Sequence, residues 1–491
     1  MMRQRYYNIV LCAVIIAAAS PPAIAATEDL TWANVAYQYR TRIDVDGGEC
    51  GLNCLPTADL TNFPMRVALK CGTNIDCDNV LPSCNDIIFY AEDQATQLKF
   101  EREKSCTRVA GETNDYWVKI PSIDIGECDG GARDGLICAS SADCTGGGIC
   151  IDSGGGGTPS HIWVYWGSPA AVDTQDPENV WDSNYKLVWH LPDGTVQTAF
   201  DSTSNSYDAT SISATATTGK IDGGASTMLN KSVTRSPATG LPSGASARTL
   251  SVWAKFGANN GVSIVGYGAN DTGQRWAIGY SSNLIYAPEA TAVACNFPWT
   301  YDTNWHYIAT TFPSGSTLVS QSKAYFDGEL KATTCTGTTI NTNTTQPFTV
   351  GSLPAGSVEP GSLAWFTGTA DEVRVSDIER SAVWLKAEYD SSREDCSTSC
   401  FLTYQTEAII ATPTITSTAT ITSTATVTPT FTNTPTNTPT PTATPTPPVG
   451  CCDCPSGACV APIEVAGTPI CPTLPPSTPA CDYVANAHCV Q

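Results

Sequence analysis

From residue 30 to about residue 400 the sequence is a succession of short β-rich runs: YRTRIDV, DIIFYAE, HIWVYWG, KLVWHL, TLSVWAKF, VSIVGYG, RWAIGYSSNLIYA, WHYIATTF and KAYFDGELKAT. Gly, Asn, Asp, Ser and Pro punctuate the gaps between them. Alternating runs fit half-buried strands, and the residues between them supply tight reversals. Asp327-Gly328 is one such reversal, because Asp-Gly provides the positive φ of a type I′ hairpin turn. Helical spacing stands out in SAVWLKAEY, where Val383, Trp384 and Ala387 fall on one stripe. Strands this short and this numerous predict an all-β chain of two sandwich or jelly-roll domains in tandem.

Both ends depart from that pattern. Arg3 and Arg5, an apolar run from Ile9 to Ala19 and the small-x-small triplet Ala23-Ile24-Ala25 read as a signal peptide over residues 1–25. The apolar run is too short to span a bilayer, and Leu11 before Cys12 is too bulky for a lipobox. The expected destination is therefore outside the cell or on its surface. Residues 411–448, ATPTITSTATITSTATVTPTFTNTPTNTPTPTATPTPP, carry no charge and repeat Thr and Pro. Such a segment cannot bury a core and reads as an extended stalk. Residues 449–491 follow with seven Cys and one His, which favours a small disulfide knot over a metal site.

The chain has 22 Cys and four His, a balance suited to an oxidising compartment. Cys12 lies in the leader, so an odd number stays in the mature chain, and covalent self-assembly through a leftover thiol is one expectation. Cys50 and Cys54, and the set Cys128, Cys138, Cys144 and Cys150, mark two insertions that read as disulfide-stapled loops. Their acids lack the alternate spacing and terminal Glu of an EF-hand. A net charge of −22 argues against nucleic-acid partners and against docking on anionic lipid. It leaves calcium open.

Between residues 186 and 392 the string LVWHLPDG … DSTSNSYDAT … ARTLSVWAKF … DTNWHYIATTF … KAYFDGELKATT … TADEVRVSDIERSAVWLKAEYDSS resembles the laminin-G-like members of the concanavalin-A-like jelly-roll superfamily. Its most specific pieces are Asn304-Trp305-His306, Tyr325-Phe326-Asp327-Gly328 and Asp371-Glu372-Val373-Arg374-Val375. The resemblance implies a jelly roll over residues 186–400 and a habit of glycan binding, without naming a substrate. Residues 30–185 resemble a bacterial domain of unknown function that commonly precedes such modules, with the Cys-rich loops as departures from it.

The same superfamily contains glycosidases, whose paired carboxyls come from one strand as Glu-x-Asp-x-(x)-Glu. No such string occurs here, and Glu372 has Arg374 two positions on. DTGQRW imitates part of an Asp box but has Ala269 where Ser is expected. No Gly-x-Ser-x-Gly elbow is present, and His161, His190 and His306 sit in apolar runs and read as structural. A non-catalytic binder is therefore expected. Aromatic rings stack on the apolar faces of sugars. The ligand-binding candidates are Trp276, Tyr280, Tyr286, Trp299 and Tyr301. Cys295 and Cys335 are expected to pair, as are Cys396 and Cys400.

Strand alternation puts Asp371 on one face with Val373 and Val375, and Glu372 with Arg374 on the other. A carboxylate on the apolar face needs a cation or backbone N–H donors. By resemblance, Asp at this position binds a structural calcium in several relatives, with Asp201 as a second candidate ligand; the alternative is a backbone clamp. Glu379, Glu388 and Asp390 read as solvated. The function expected is a secreted protein that binds a polysaccharide or glycoprotein. The alternative is a structural subunit of an envelope, filament or adhesive assembly, and an unrecognised glycan hydrolase stands behind both.

Overall fold

The computed structural model describes residues 32–46, 55–103, 105–129, 160–192, 196–259, 263–281, 283–353, 365–393 and 401–409, with short pieces between 132 and 151 and the strands of the C-terminal segment. The leader, Cys50, Cys54, Cys396, Cys400 and the Thr/Pro segment 411–448 lie outside the described residues. Two compact units divide the chain, 1–414 and 415–491. In the second, Gly450–Asp453 pairs with Cys459–Val460 and Asp482–Ala485, and Ile463–Val465 pairs with Thr468–Ile470. The cysteine pairing expected there lies outside what is described.

The first unit is built almost wholly from antiparallel sheets, as the short alternating runs require. One sheet holds Tyr39–Asp44, His161–Trp166 and Ile88–Ala91; a second holds Leu60–Lys70, Thr113–Ile123 and Phe100–Arg102. A third runs in the order Thr215–Ile221, Gly223–Thr227, Gly368–Ser376, Arg248–Phe256, Trp305–Phe312, Lys323–Phe326 and Glu329–Lys331, with Tyr185–Trp189 also on Gly368–Ser376. The fourth centres on Phe348–Val350, Val265–Gly268, Arg275–Ser281, Leu284–Glu289 and Ala294–Pro298. The third and fourth sheets enclose one core, with Trp189, Val252, Trp276, Ile308, Phe348 and Val373 among its residues.

Alternation along Thr113–Ile123 explains how the two sandwiches join. Tyr116 turns inward to Phe89 and Phe100, with ring centroids 5.3 and 6.1 Å away. Its neighbour Trp117 points the opposite way and meets Trp181 at 5.5 Å. One strand thus feeds two apolar layers, and the N-terminal core is continuous with residues on the outer face of the third sheet, Trp253, Tyr307 and Tyr325. The helix Ala382–Ser392 lies in the same layer. Ser381 caps it by accepting the Trp384 N–H at 3.1 Å, and Trp384 packs on Phe63 at 5.1 Å.

Beyond the helix the chain returns to the N-terminal sandwich. Thr403–Tyr404 and Ala408–Ile409 both pair with Tyr39–Asp44, and Phe401 and Leu402 are buried. The N-terminal sandwich is therefore completed by residues from beyond the jelly roll, which boundaries read along the sequence do not include. Disulfides join Cys71 to Cys77, Cys84 to Cys106, Cys128 to Cys144, Cys138 to Cys150 and Cys295 to Cys335. Among the described residues no helix is long and apolar enough to cross a membrane.

Candidate functional site

The five candidate aromatic residues separate by burial. Trp276 and Tyr280 are wholly enclosed in the jelly-roll core, where Trp276 meets Phe312 at 5.7 Å and the Tyr280 hydroxyl donates to the Ala258 carbonyl. Neither ring face is open to a ligand, so both belong to packing. Strand alternation is the reason: Ile278 and Tyr280 share the inward face with Trp276. Tyr286 is half-buried, pointing away from the core between Gly279 and Asn296 of the neighbouring strands.

Trp299 and Tyr301 are also half-buried, and they sit together in the loop after Ala294–Pro298, with ring centroids 5.9 Å apart in an edge-to-face pair. Phe256 and His306 support Trp299 from the core side at 4.5 and 5.7 Å. The loop is held by charge. His306 Nδ1 faces Asp327 at 2.8 Å and its Nε2 faces Asp302 at 3.0 Å. Burial works against a charge on His306, but Asp327 and then Asp302 outweigh it and hold its pKa above the ordinary value. Burial likewise works against the Asp302 carboxylate, yet the Asn304 N–H and His306 hold it below the usual range. The result is an aromatic ledge flanked by an Asp302 side chain that is 40% exposed. Asp327 and Gly328 anchor the opposing hairpin, with φ of 52° and 76°, the positive pair that a type I′ turn demands.

Asp371 does not share a face with Val373 and Val375. Between Ser251 and Trp253 the register against Gly368–Ser376 slips by one residue, and Glu372 takes a φ of +49°. This β-bulge resets the alternation. Ala370, Val373 and Val375 point into the jelly-roll core, while Asp371, paired with Trp253, joins Glu372 and Arg374 on the outer face. The Asp371 carboxylate accepts N–H bonds from Lys220, Ile221 and Glu372 at 2.8, 2.9 and 2.8 Å. A cation there would have to displace these donors. Asp201 is similarly engaged, accepting from the backbone of Val188, Thr203 and Tyr207. Neither is in the two groups of converging ligand side chains found among the described residues.

The outer face created by the bulge holds a constellation that strand-by-strand reading missed. His190 Nδ1 lies 2.8 Å from Glu372 and 3.0 Å from Glu103, and its Nε2 lies 3.0 Å from Glu101. Trp117 Nε1 donates to Glu103 and Trp181 Nε1 to Glu101, each at 2.6 Å. Arg374 donates to Glu372 at 2.5 Å and reaches Glu388 at 3.5 Å, its guanidinium 4.3 Å above the Trp117 ring. Glu388 accepts from the hydroxyls of Tyr185 and Tyr307, and with Asp390 it is buried rather than solvated. Helix packing against the N-terminal sandwich encloses them. Glu379 is half-buried and pairs with Lys323 at 2.8 Å.

Burial pushes Glu103 up to about 8, while His190 is held well above its usual value, against burial, by the carboxylates around it. Burial opposes ionisation of Glu372, but His190 and Arg374 together lower its pKa. Burial disfavours the charged form of Glu103, and the neighbouring Glu372 and Glu101 carboxylates add repulsion to it. The signal available in the sequence was Glu101-x-Glu103 and Glu372-x-Arg374, two charged pairs at strand spacing in separate domains. The Trp117 and Trp181 rings cover the cluster, and the side chains of His190, Glu103 and Glu372 are 9%, 0% and 1% exposed. A glycosidic bond cannot reach these acids.

Residues 229–385 match the family model Laminin_G_3, described as the concanavalin A-like lectin/glucanases superfamily, and this segment is a domain of that superfamily. The strands Tyr185–Trp189 and Gly223–Thr227 precede the matched segment but complete its third sheet. Among solved structures the chain is similar to domain 4 of AbnA, a GH43 extracellular arabinanase from Geobacillus stearothermophilus, in complex with arabinotriose. The identity is 16%, over 42% of this chain and 98% of that one, with a TM-score of 0.31. It is also similar to the binding domain of Paraclostridial Mosquitocidal Protein 1, at 11% identity over 42% of this chain, with a TM-score of 0.31. A third is botulinum neurotoxin type C, whose cell entry depends on interaction with two ganglioside molecules, at 15% identity over 43% of this chain and a TM-score of 0.30. The chain spans about half, 52%, of each of these toxin chains. No curated protein matches the sequence.

Proposed function

We propose that this is a secreted, non-catalytic protein that binds a polysaccharide or the glycan of a glycoprotein through the Trp299–Tyr301 ledge of its jelly roll. The observation that carries the reading is the ledge itself. The half-exposed Trp299 ring is braced from behind by Phe256 and His306, Tyr301 packs edge-to-face on it, and Asp302 stands beside them to accept sugar hydroxyls. A braced ring loses little conformational freedom on binding, and its face matches the C–H face of a pyranose. The lectin/glucanase superfamily match of residues 229–385 supports the same class. A non-catalytic role is favoured because the carboxylates gathered around His190 are sealed between the two sandwiches, where a glycan has no access.

A glycan array probed with the mature chain tests this, alongside the variants Tyr301→Ala and Trp299→Phe. Binding to at least one glycan class is expected, with affinity falling roughly tenfold for Tyr301→Ala, the equivalent of about 1.4 kcal/mol. Retention of no glycan, or equal binding by the wild type and both variants, would sink the proposal.

A further inference from the structure

The cluster around His190 has more acceptors than its neighbours can satisfy. Glu372 and Glu388 share Arg374, while Glu101 and Glu103 each accept one Trp N–H and share the His190 imidazole with Glu372. Glu103 Oε1 has no hydrogen-bond partner although its side chain is fully enclosed. A buried carboxylate oxygen without a donor or cation is costly, and native interiors seldom leave one. The ligand atoms of Glu103, His190 and Glu372 all lie within 4.8 Å of one another.

We propose that Glu103, His190 and Glu372 bind a first-row transition-metal dication of the zinc class, which ties the N-terminal sandwich to the jelly roll. The ligand types select the metal. One imidazole nitrogen and two carboxylates suit zinc, whereas calcium takes six to eight oxygens and magnesium keeps an octahedral shell that includes water. The outer shell has the matching arrangement. Glu101 stands 3.0 Å from His190 Nε2, where it accepts that N–H and presents the Nδ1 lone pair to the metal. Trp117 Nε1 orients Glu103, and Arg374 orients Glu372. Glu103 comes from the N-terminal sandwich, while His190 and Glu372 come from the jelly roll. The metal therefore completes an interface and has no open path to substrate.

The full mature chain, refolded with and without zinc and dialysed, is analysed by elemental mass spectrometry and thermal unfolding. One equivalent of zinc and a higher Tm are expected, with X-ray absorption showing nitrogen and oxygen neighbours. Glu103→Gln and Glu372→Gln keep the side-chain shape and are expected to lose the metal and the zinc-dependent rise in Tm. Glu101→Gln, which meets His190 at the nitrogen away from the metal, should weaken affinity by roughly 10–100-fold. The Cys-rich C-terminal segment offers a competing site, which the same data resolve. Sulfur neighbours, or an equal metal content in wild type and both Gln variants, would overturn the assignment. So would refolded wild type that holds no zinc.

Discussion

His306 shows how one side chain sets a functional loop. It stacks on Phe326 at 4.6 Å and bridges Asp302 to Asp327, so the Trp299–Tyr301 loop and the Asp327-Gly328 hairpin are fixed to each other. Its folded-state pKa lies above the unfolded value. The stabilisation is then fully present below the unfolded pKa of about 6.5 and is lost as pH rises through the raised folded pKa. Asp302 has the opposite sign. Its depressed pKa gives stabilisation above the unfolded carboxylate value of about 3.9, lost as pH falls through the folded one. The difference in Tm between wild type and His306→Gln should accordingly be largest in mildly acidic solution and shrink in alkali. A difference that grows above neutral pH would contradict this account. The titration of the His306 ring by NMR gives the window directly.

At the scale of elements, a bulge and a disulfide do what strand alternation cannot. The bulge at Glu372 places Asp371, Glu372 and Arg374 together on the outer face of Gly368–Ser376, and the buried cluster depends on that turn of the strand. The Cys295–Cys335 bond joins the edge strand Thr334–Thr336 of the fourth sheet to its neighbour Ala294–Pro298 at directly opposed residues, closing a loop with a sequence separation of 40. Chain-entropy arguments give such a loop about 4 kcal/mol, with engineered and native bonds often falling short of it. Replacing both cysteines with Ala is expected to cost roughly 2–4 kcal/mol in urea unfolding, with the ledge loosened because Trp299 follows the bonded strand. An unchanged midpoint would show that the strand pairing holds without the bond.

The whole first unit behaves as one body because its two sandwiches share an apolar layer and a charged cluster. Trp253, Tyr307 and Trp384 belong to the apolar cluster that runs on into the N-terminal sandwich, so calorimetry of the chain ending at residue 410 should show a single cooperative transition. Ending the chain at Arg393 instead removes two return strands with Phe401 and Leu402. The loss should be on the order of 3–6 kcal/mol, at about 1.5–3 kcal/mol for each of the two fully buried apolar side chains. Two resolved transitions in the longer chain would argue that the sandwiches are independent.

The all-β architecture was legible because strand alternation and turn chemistry are local. Each short run announces its own faces, and Asp-Gly announces its own hairpin. The Cys295–Cys335 partnership was legible because few cysteines lay in that segment. Trp276 and Tyr280 could not be separated from Trp299 and Tyr301, because the spelling of a ring does not say which face of a sheet it takes. Asp371 was misplaced for a related reason. A bulge needs one residue more than its partner strand, and the partner is chosen only when the sheet assembles. The cluster of Glu101, Glu103, His190, Glu372 and Glu388 draws on segments up to 287 positions apart in the chain, and no local pattern links them. The sequence by itself determined the all-β class and the local turns. Only the tertiary structure decided which acids are buried together, because burial and charge pairing arise from the contact of two folded surfaces.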